Sequence, residues 1–107
     1  MSTADSPVIE KKPETTIAPP PKMYNVVIRN NSVTEMAFVV YMLTDVFNMS
    51  RENAALKMME IHNNNRGNVG PYIKDIAEAK RDQCMNYAAK ATLPQNRALL
   101  TTIEPAP

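Results

Sequence analysis

Between residues 24 and 104 the spacing of hydrophobic positions changes several times, and each change predicts a new element. Tyr24 to Arg29 reads Tyr-Asn-Val-Val-Ile-Arg, rich in β-branched side chains and stopped by Asn30-Asn31-Ser32, which predicts a first strand and a turn. Thr34 then stands where a helix cap belongs, ahead of Met36, Val39, Val40, Leu43, Val46 and Phe47. Those positions step by three and four, so they form one stripe turned toward a core. Ser50, with Glu52 in the first turn, opens a second helix in which Ala55, Met58, Met59 and His62 share a face and Ile61 lies on its flank. Asn63-Asn64-Asn65 ends it, because asparagine accepts left-handed backbone and its amide competes for local hydrogen bonds. Gly67 to Tyr72 predicts a short strand, and Pro71, which has no N–H to give a ladder, puts that strand at an edge. A third helix carries Ile73, Ile76, Ala77, Cys84, Tyr87, Ala88 and Ala91 at helical spacing and is closed by Leu93-Pro94-Gln95-Asn96. Leu99 to Glu104 is the last strand, stopped by Pro105.

The order β-α-α-β-α-β predicts an α+β sandwich, a small three-stranded antiparallel sheet with helices packed on one face. Residues 1–21 do not belong to it: they hold five of the nine prolines and few large apolar side chains. Such a stretch cannot bury enough surface to offset its chain entropy, so a disordered N-terminal extension is expected over 1–21 and a single domain over 22–105.

Charge and composition narrow the function. Twelve basic against eleven acidic side chains, with no long run of either sign, give a polyanion little to hold, so nucleic acid is not an expected partner. No apolar run approaches the roughly 20 residues that span a bilayer. The first residues lack the basic start and apolar stretch of an export signal, so a cytoplasmic protein without membrane contact is expected. Cys84 is the single cysteine and cannot form an internal disulfide; on a core-facing helix position it is a small apolar filler. Catalysis is not expected, since Cys84 and the single histidine, His62, stand 22 residues apart on different helices with no orienting group evident. One Cys and one His do not make a zinc site, and Gly67-Asn68-Val69-Gly70 lacks the lysine and glycine density of a phosphate loop. No metal or cofactor is implied.

What remains is a junction. His62 and both glycines, Gly67 and Gly70, gather where the second helix meets the second strand. A histidine in a last helical turn can simply cap backbone carbonyls, and methionines at 36, 58 and 59 can simply be core. The order of residues says more. Met23-Tyr24 leads the first strand; Asn30, a polar turn and Thr34 follow; then come Met36, Phe38-Val39, His62, Arg66-Gly67, Val69-Gly70, Tyr72, Ile76-Ala77-Glu78, Lys80, Leu99-Leu100 and Glu104. From Pro20 to Glu104 this series resembles the ClpS family, adaptors that hold a substrate by its first residue and hand it to a Clp protease.

The resemblance implies that Asn30, Asn31, Thr34 and His62 line the mouth of a pocket for a free α-amino group. It implies that Met36, Val39, Met58, Ile61 and Leu99 line its apolar depth, which would take an N-terminal Phe, Leu, Tyr or Trp. Asp75, Glu78 and Lys80 would face the N-terminal domain of a ClpA- or ClpC-type unfoldase, and a monomer is expected. Three departures stand out. The family turn usually reads Asn-Asp, whereas Asn31 and Ser32 offer no carboxylate to the ammonium; exchanging a charged for a neutral acceptor is expected to weaken capture roughly ten-fold. Asn65 replaces a common glycine, and the segment from Lys90 to Arg97 is longer than usual. A docking-only regulator with an impaired pocket, and a scaffold resembling the ribosomal stalk domain, are the competing readings.

Overall fold

The β-branched run predicted as the first strand forms it, and takes the central place in the sheet. A computed structural model describes residues 20–107, in the order β1 (Met23–Arg29), α1 (Met36–Phe47), α2 (Arg51–Asn64), β2 (Arg66–Ile73), α3 (Lys74–Ala89), a 3-10 turn (Pro94–Ala98) and β3 (Leu100–Pro105). The extension expected over 1–21 lies, up to residue 19, outside the described residues. Strand order is β2-β1-β3, with both pairings antiparallel. Val26, Val27 and Ile28 are wholly buried in this central strand, which β2 and β3 flank on both edges. β2, with Pro71, is an edge strand as expected.

The core lies between the sheet and the helices. Ile28 and Val69 pack there against Val39, Leu43 and Val46 of α1, Ile61 of α2, and Cys84 and Ala88 of α3. Each fully buried aliphatic side chain of this kind contributes about 1.5–3 kcal/mol relative to exposure. Burial pushes the Cys84 thiol up to about 12, so it is neutral and acts as filler. Ser50 caps α2 as predicted, its hydroxyl accepting from Asn53 N at 3.1 Å. α2 ends at Asn65, which takes left-handed backbone at φ 65°.

Several details differ from expectation. Thr34 does not cap α1: the cap position is Glu35, and Thr34 Oγ1 instead donates to the Gln95 carbonyl at 3.2 Å. The buried stripe of α1 is Val39, Met42, Leu43 and Val46, so Met42 joins it and Met36 is left 43% exposed. On α2 the buried residues are Ala54 and Ile61, seven apart, and Met59 and His62 are exposed. Ile61 is therefore the centre of that face, not its flank. α3 stops at Ala89, before the proline, and its burial falls on Ala77, Cys84 and Ala88, leaving Ile73 and Ile76 exposed beside its first turn. The Pro94 segment forms a turn of its own.

Glu104 of β3 ties the three strands together electrostatically. Its carboxylate accepts from Arg66 of β2 and, at 3.0 Å, from Arg29 of β1. The hydrogen bond from Arg66, with the charges of both guanidiniums, holds its pKa below the usual carboxylate value. A depressed folded pKa contributes stability above the unfolded pKa, and that contribution is lost as pH falls through the folded value. Glu104→Gln is thus expected to be less stable than wild type near neutrality, with the gap closing in acid. Denaturant unfolding of both proteins between about pH 7 and about pH 3 checks this, and a pH-independent gap contradicts it.

Candidate functional site

The turn after β1, the first turns of α1 and the last turns of α2 converge on a cavity of about 220 Å³. Part of its lining is polar, formed by Asn30, Asn31, Ser32, Thr34 and His62. The rest of its lining is apolar, formed by Met36, Val39, Met58 and Ile61, of which Val39 and Ile61 are buried and Met36 is 43% exposed. Helical spacing explains the second group: Met58, Ile61 and His62 follow at three and four residues on α2, so one helix supplies two apolar walls and an imidazole at the rim. His62 itself is exposed, with the hollow alongside it.

Hydrogen bonds fix the mouth. Asn30 N donates to the Asn65 carbonyl at 2.9 Å, fastening the turn to the end of α2. Asn31 Oδ1 accepts from Val33 N at 2.9 Å, an Asx turn, while its Nδ2 donates to the Ala98 carbonyl at 3.2 Å. Thr34 N donates back to the Asn31 carbonyl at 3.2 Å. The residues lining the cavity include no carboxylate, so an ammonium entering here meets amide, hydroxyl and imidazole acceptors.

Gly67 sets the depth. A Cβ on this β2 residue would stand 2.5 Å from Ile61 Cγ1, so the absence of a side chain lets Ile61 lie against the strand and line the cavity floor.

Of the residues expected at the pocket, the structure brings together all but Leu99, which is 2% exposed and packs in the core rather than lining the cavity. Ser32 lines it in addition; its place beside Asn31 in the turn is the signal that points to it. Asp75, Glu78 and Lys80 sit on α3, and none of them lines the cavity. Asp75 is exposed and Glu78 half-buried. Lys80 donates to the Val46 carbonyl at 2.9 Å and lies 5.9 Å from the Phe47 ring, so it caps the end of α1. A larger, more open hollow of about 480 Å³ beside Phe38, Tyr87 and Leu93 borders the segment from Lys90 to Asn96. No helix among the described residues is long and apolar enough to cross a membrane.

Comparison with known proteins agrees with this architecture. The family model for the ATP-dependent Clp protease adaptor protein ClpS matches residues 19–97. The Clp protease adapter ClpS of Variovorax paradoxus is 42% identical over 90 residues, covering 84% of this chain and 74% of that protein. Its counterpart in Burkholderia cenocepacia is 39% identical over 90 residues, covering 84% and 85%. Among solved structures, Agrobacterium tumefaciens ClpS2 bound to L-phenylalaninamide superimposes with a TM-score of 0.73 at 32% identity, covering 81% of this chain and all of that one. With its three-stranded antiparallel sheet, three helices and a cavity between α1 and α2, the chain belongs to the ClpS family of Clp protease adaptors.

Proposed function

We propose that this adaptor receives the free α-amino end of a protein whose first residue is Phe, Leu, Tyr or Trp and delivers it to a ClpA- or ClpC-type unfoldase. The observation that carries the reading is the two-part lining of the cavity: hydrogen-bonding side chains without a carboxylate on one part, four apolar side chains on the other. A primary ammonium offers three donors, and Asn30, Asn31, Thr34 and His62 offer oxygen and nitrogen acceptors around one opening. The side chain attached to that ammonium leaves water in the apolar half, which favours large hydrophobic first residues. The likeness to ClpS2 bound to L-phenylalaninamide supports the same assignment.

The unfoldase contact is proposed on α3, at Asp75 and Glu78, with Ile73 and Ile76 exposed beside them as an apolar complement. Lys80 contributes there less directly, because its ammonium is already held by Val46. The protein acts as a cytoplasmic monomer and makes or breaks no bond.

Titration of fluorescent peptides beginning with Phe, Leu, Tyr or Trp against the pure protein tests this. Saturable binding that N-acetylation abolishes is the expected result. Absence of binding in wild type together with its appearance in Asn31→Asp, and slower degradation of other substrates by the unfoldase, would instead establish a docking-only regulator.

A further inference from the structure

We propose that Asn96, in the 3-10 turn after α3, is a positioning residue for the amino-binding turn; the role rests on the peptide-binding reading above. Asn96 is a buried polar residue, 4% exposed, and both ends of its amide bond to Glu35, 61 residues earlier. Oδ1 accepts from Glu35 N at 3.0 Å, and Nδ2 donates to Glu35 Oε1 at 3.3 Å. Glu35 occupies the entrance of α1, where its own side chain makes no capping bond. Asn96 therefore does from a distance what a capping side chain does locally: it satisfies a backbone N–H at the helix entrance and fixes the direction in which the chain enters.

Two more bonds from the same 3-10 turn reach the rim. The Gln95 carbonyl accepts from Thr34 Oγ1 at 3.2 Å, and the Ala98 carbonyl accepts from Asn31 Nδ2 at 3.2 Å. Asn31, Thr34 and Glu35 are thus fastened to one five-residue turn, which Arg97 braces through Nε to the Ala91 carbonyl at 2.8 Å and Nη2 to the Thr92 carbonyl at 3.2 Å. This gives the amide at position 31 a physical role. An aspartate there could still accept from Val33 N, but it would lose the donor to Ala98 and set a carboxylate against a carbonyl oxygen. The neutral turn and the 3-10 segment form one matched device. The bond between them aims Asn31 Oδ1 and Thr34 Oγ1 at the ligand, and Asn96 holds the segment in register.

The test uses the full chain and a fluorescent peptide beginning with Phe, with its N-acetylated form as control. Asn96→Ala removes both bonds to Glu35 and is expected to weaken peptide affinity roughly five- to ten-fold at a temperature where it is fully folded. Amide exchange of Val33 and Thr34 should rise in the same variant without peptide, while that of Ile28 stays unchanged. Asn96→Asp keeps the acceptor but faces the Glu35 carboxylate; it should lose affinity, and adding Glu35→Gln, which restores a donor, should recover it. That rescue carries the test if Asn96→Ala does not fold. Wild-type binding with unchanged affinity in Asn96→Ala, or failure of Glu35→Gln to rescue Asn96→Asp, overturns the positioning role alone. Absence of any acetylation-sensitive binding by wild type overturns the pocket assignment, and the positioning role with it.

Discussion

Gly67→Ala is expected to destabilise the protein by about 1–3 kcal/mol and to shrink the cavity at the same time. The added methyl would stand 2.5 Å from Ile61 Cγ1 and 3.4 Å from both Ile61 Cδ1 and Lys57 Cδ. Ile61 is 2% exposed and packed on all other sides, so it can yield only by moving into the hollow whose floor it forms. Stability and peptide affinity should therefore fall together. A double-mutant cycle separates this mechanism from generic strand damage. Ile61→Ala alone should cost about 2–5 kcal/mol through the space it vacates. In that background Gly67→Ala should be nearly neutral or stabilising, because the clash is gone and alanine suits a strand better than glycine. Urea unfolding of the four proteins measures the coupling, and simple additivity would refute the contact as the cause.

His62→Ala should show the opposite profile. The side chain is exposed at the end of α2, so its loss should change stability by no more than about 0.5 kcal/mol. Under the proposed function it removes one acceptor facing a charged donor, worth about 1.5–3 kcal/mol, and affinity for a Phe-initiated peptide should drop roughly ten-fold or more. Unfolding curves that superimpose, together with a binding curve displaced to higher concentration, constitute the expected pair of results. Equal affinity in the two proteins would remove His62 from the site.

How far such effects were legible beforehand depended on the range of the interaction. The β-branched run at 24–29, the three-four steps of α1 and the asparagines after α2 are local signals, and the elements they predict are present. Pro71 announced an edge strand because its missing donor is a property of the residue itself. The α2 face departs from its hydrophobic spacing for a physical reason: methionine is apolar wherever it stands, so spacing puts Met59 on the stripe although it is 43% exposed. Met36 is likewise 43% exposed, and spacing alone treats it as core; only the ordered series of family residues marks it as cavity lining. The same series places Leu99 at the pocket, whereas it follows the 3-10 turn, just before β3, and packs in the core. The Asn96–Glu35 pair and the Arg29–Glu104–Arg66 cluster left no local trace, because both exist only once the strands are in register.

That register has a temporal side. β1 is made early and β3 about seventy residues later, with Ile28 opposite Thr101, yet the central strand needs both neighbours. β1 and β2 are complete before α3 is made, but the Gln95 and Ala98 carbonyls that hold Thr34 and Asn31 lie beyond α3 and come just ahead of β3. Under the proposed function, grip on another polypeptide is therefore expected only once the 3-10 turn has docked on the rim and β3 has paired with β1.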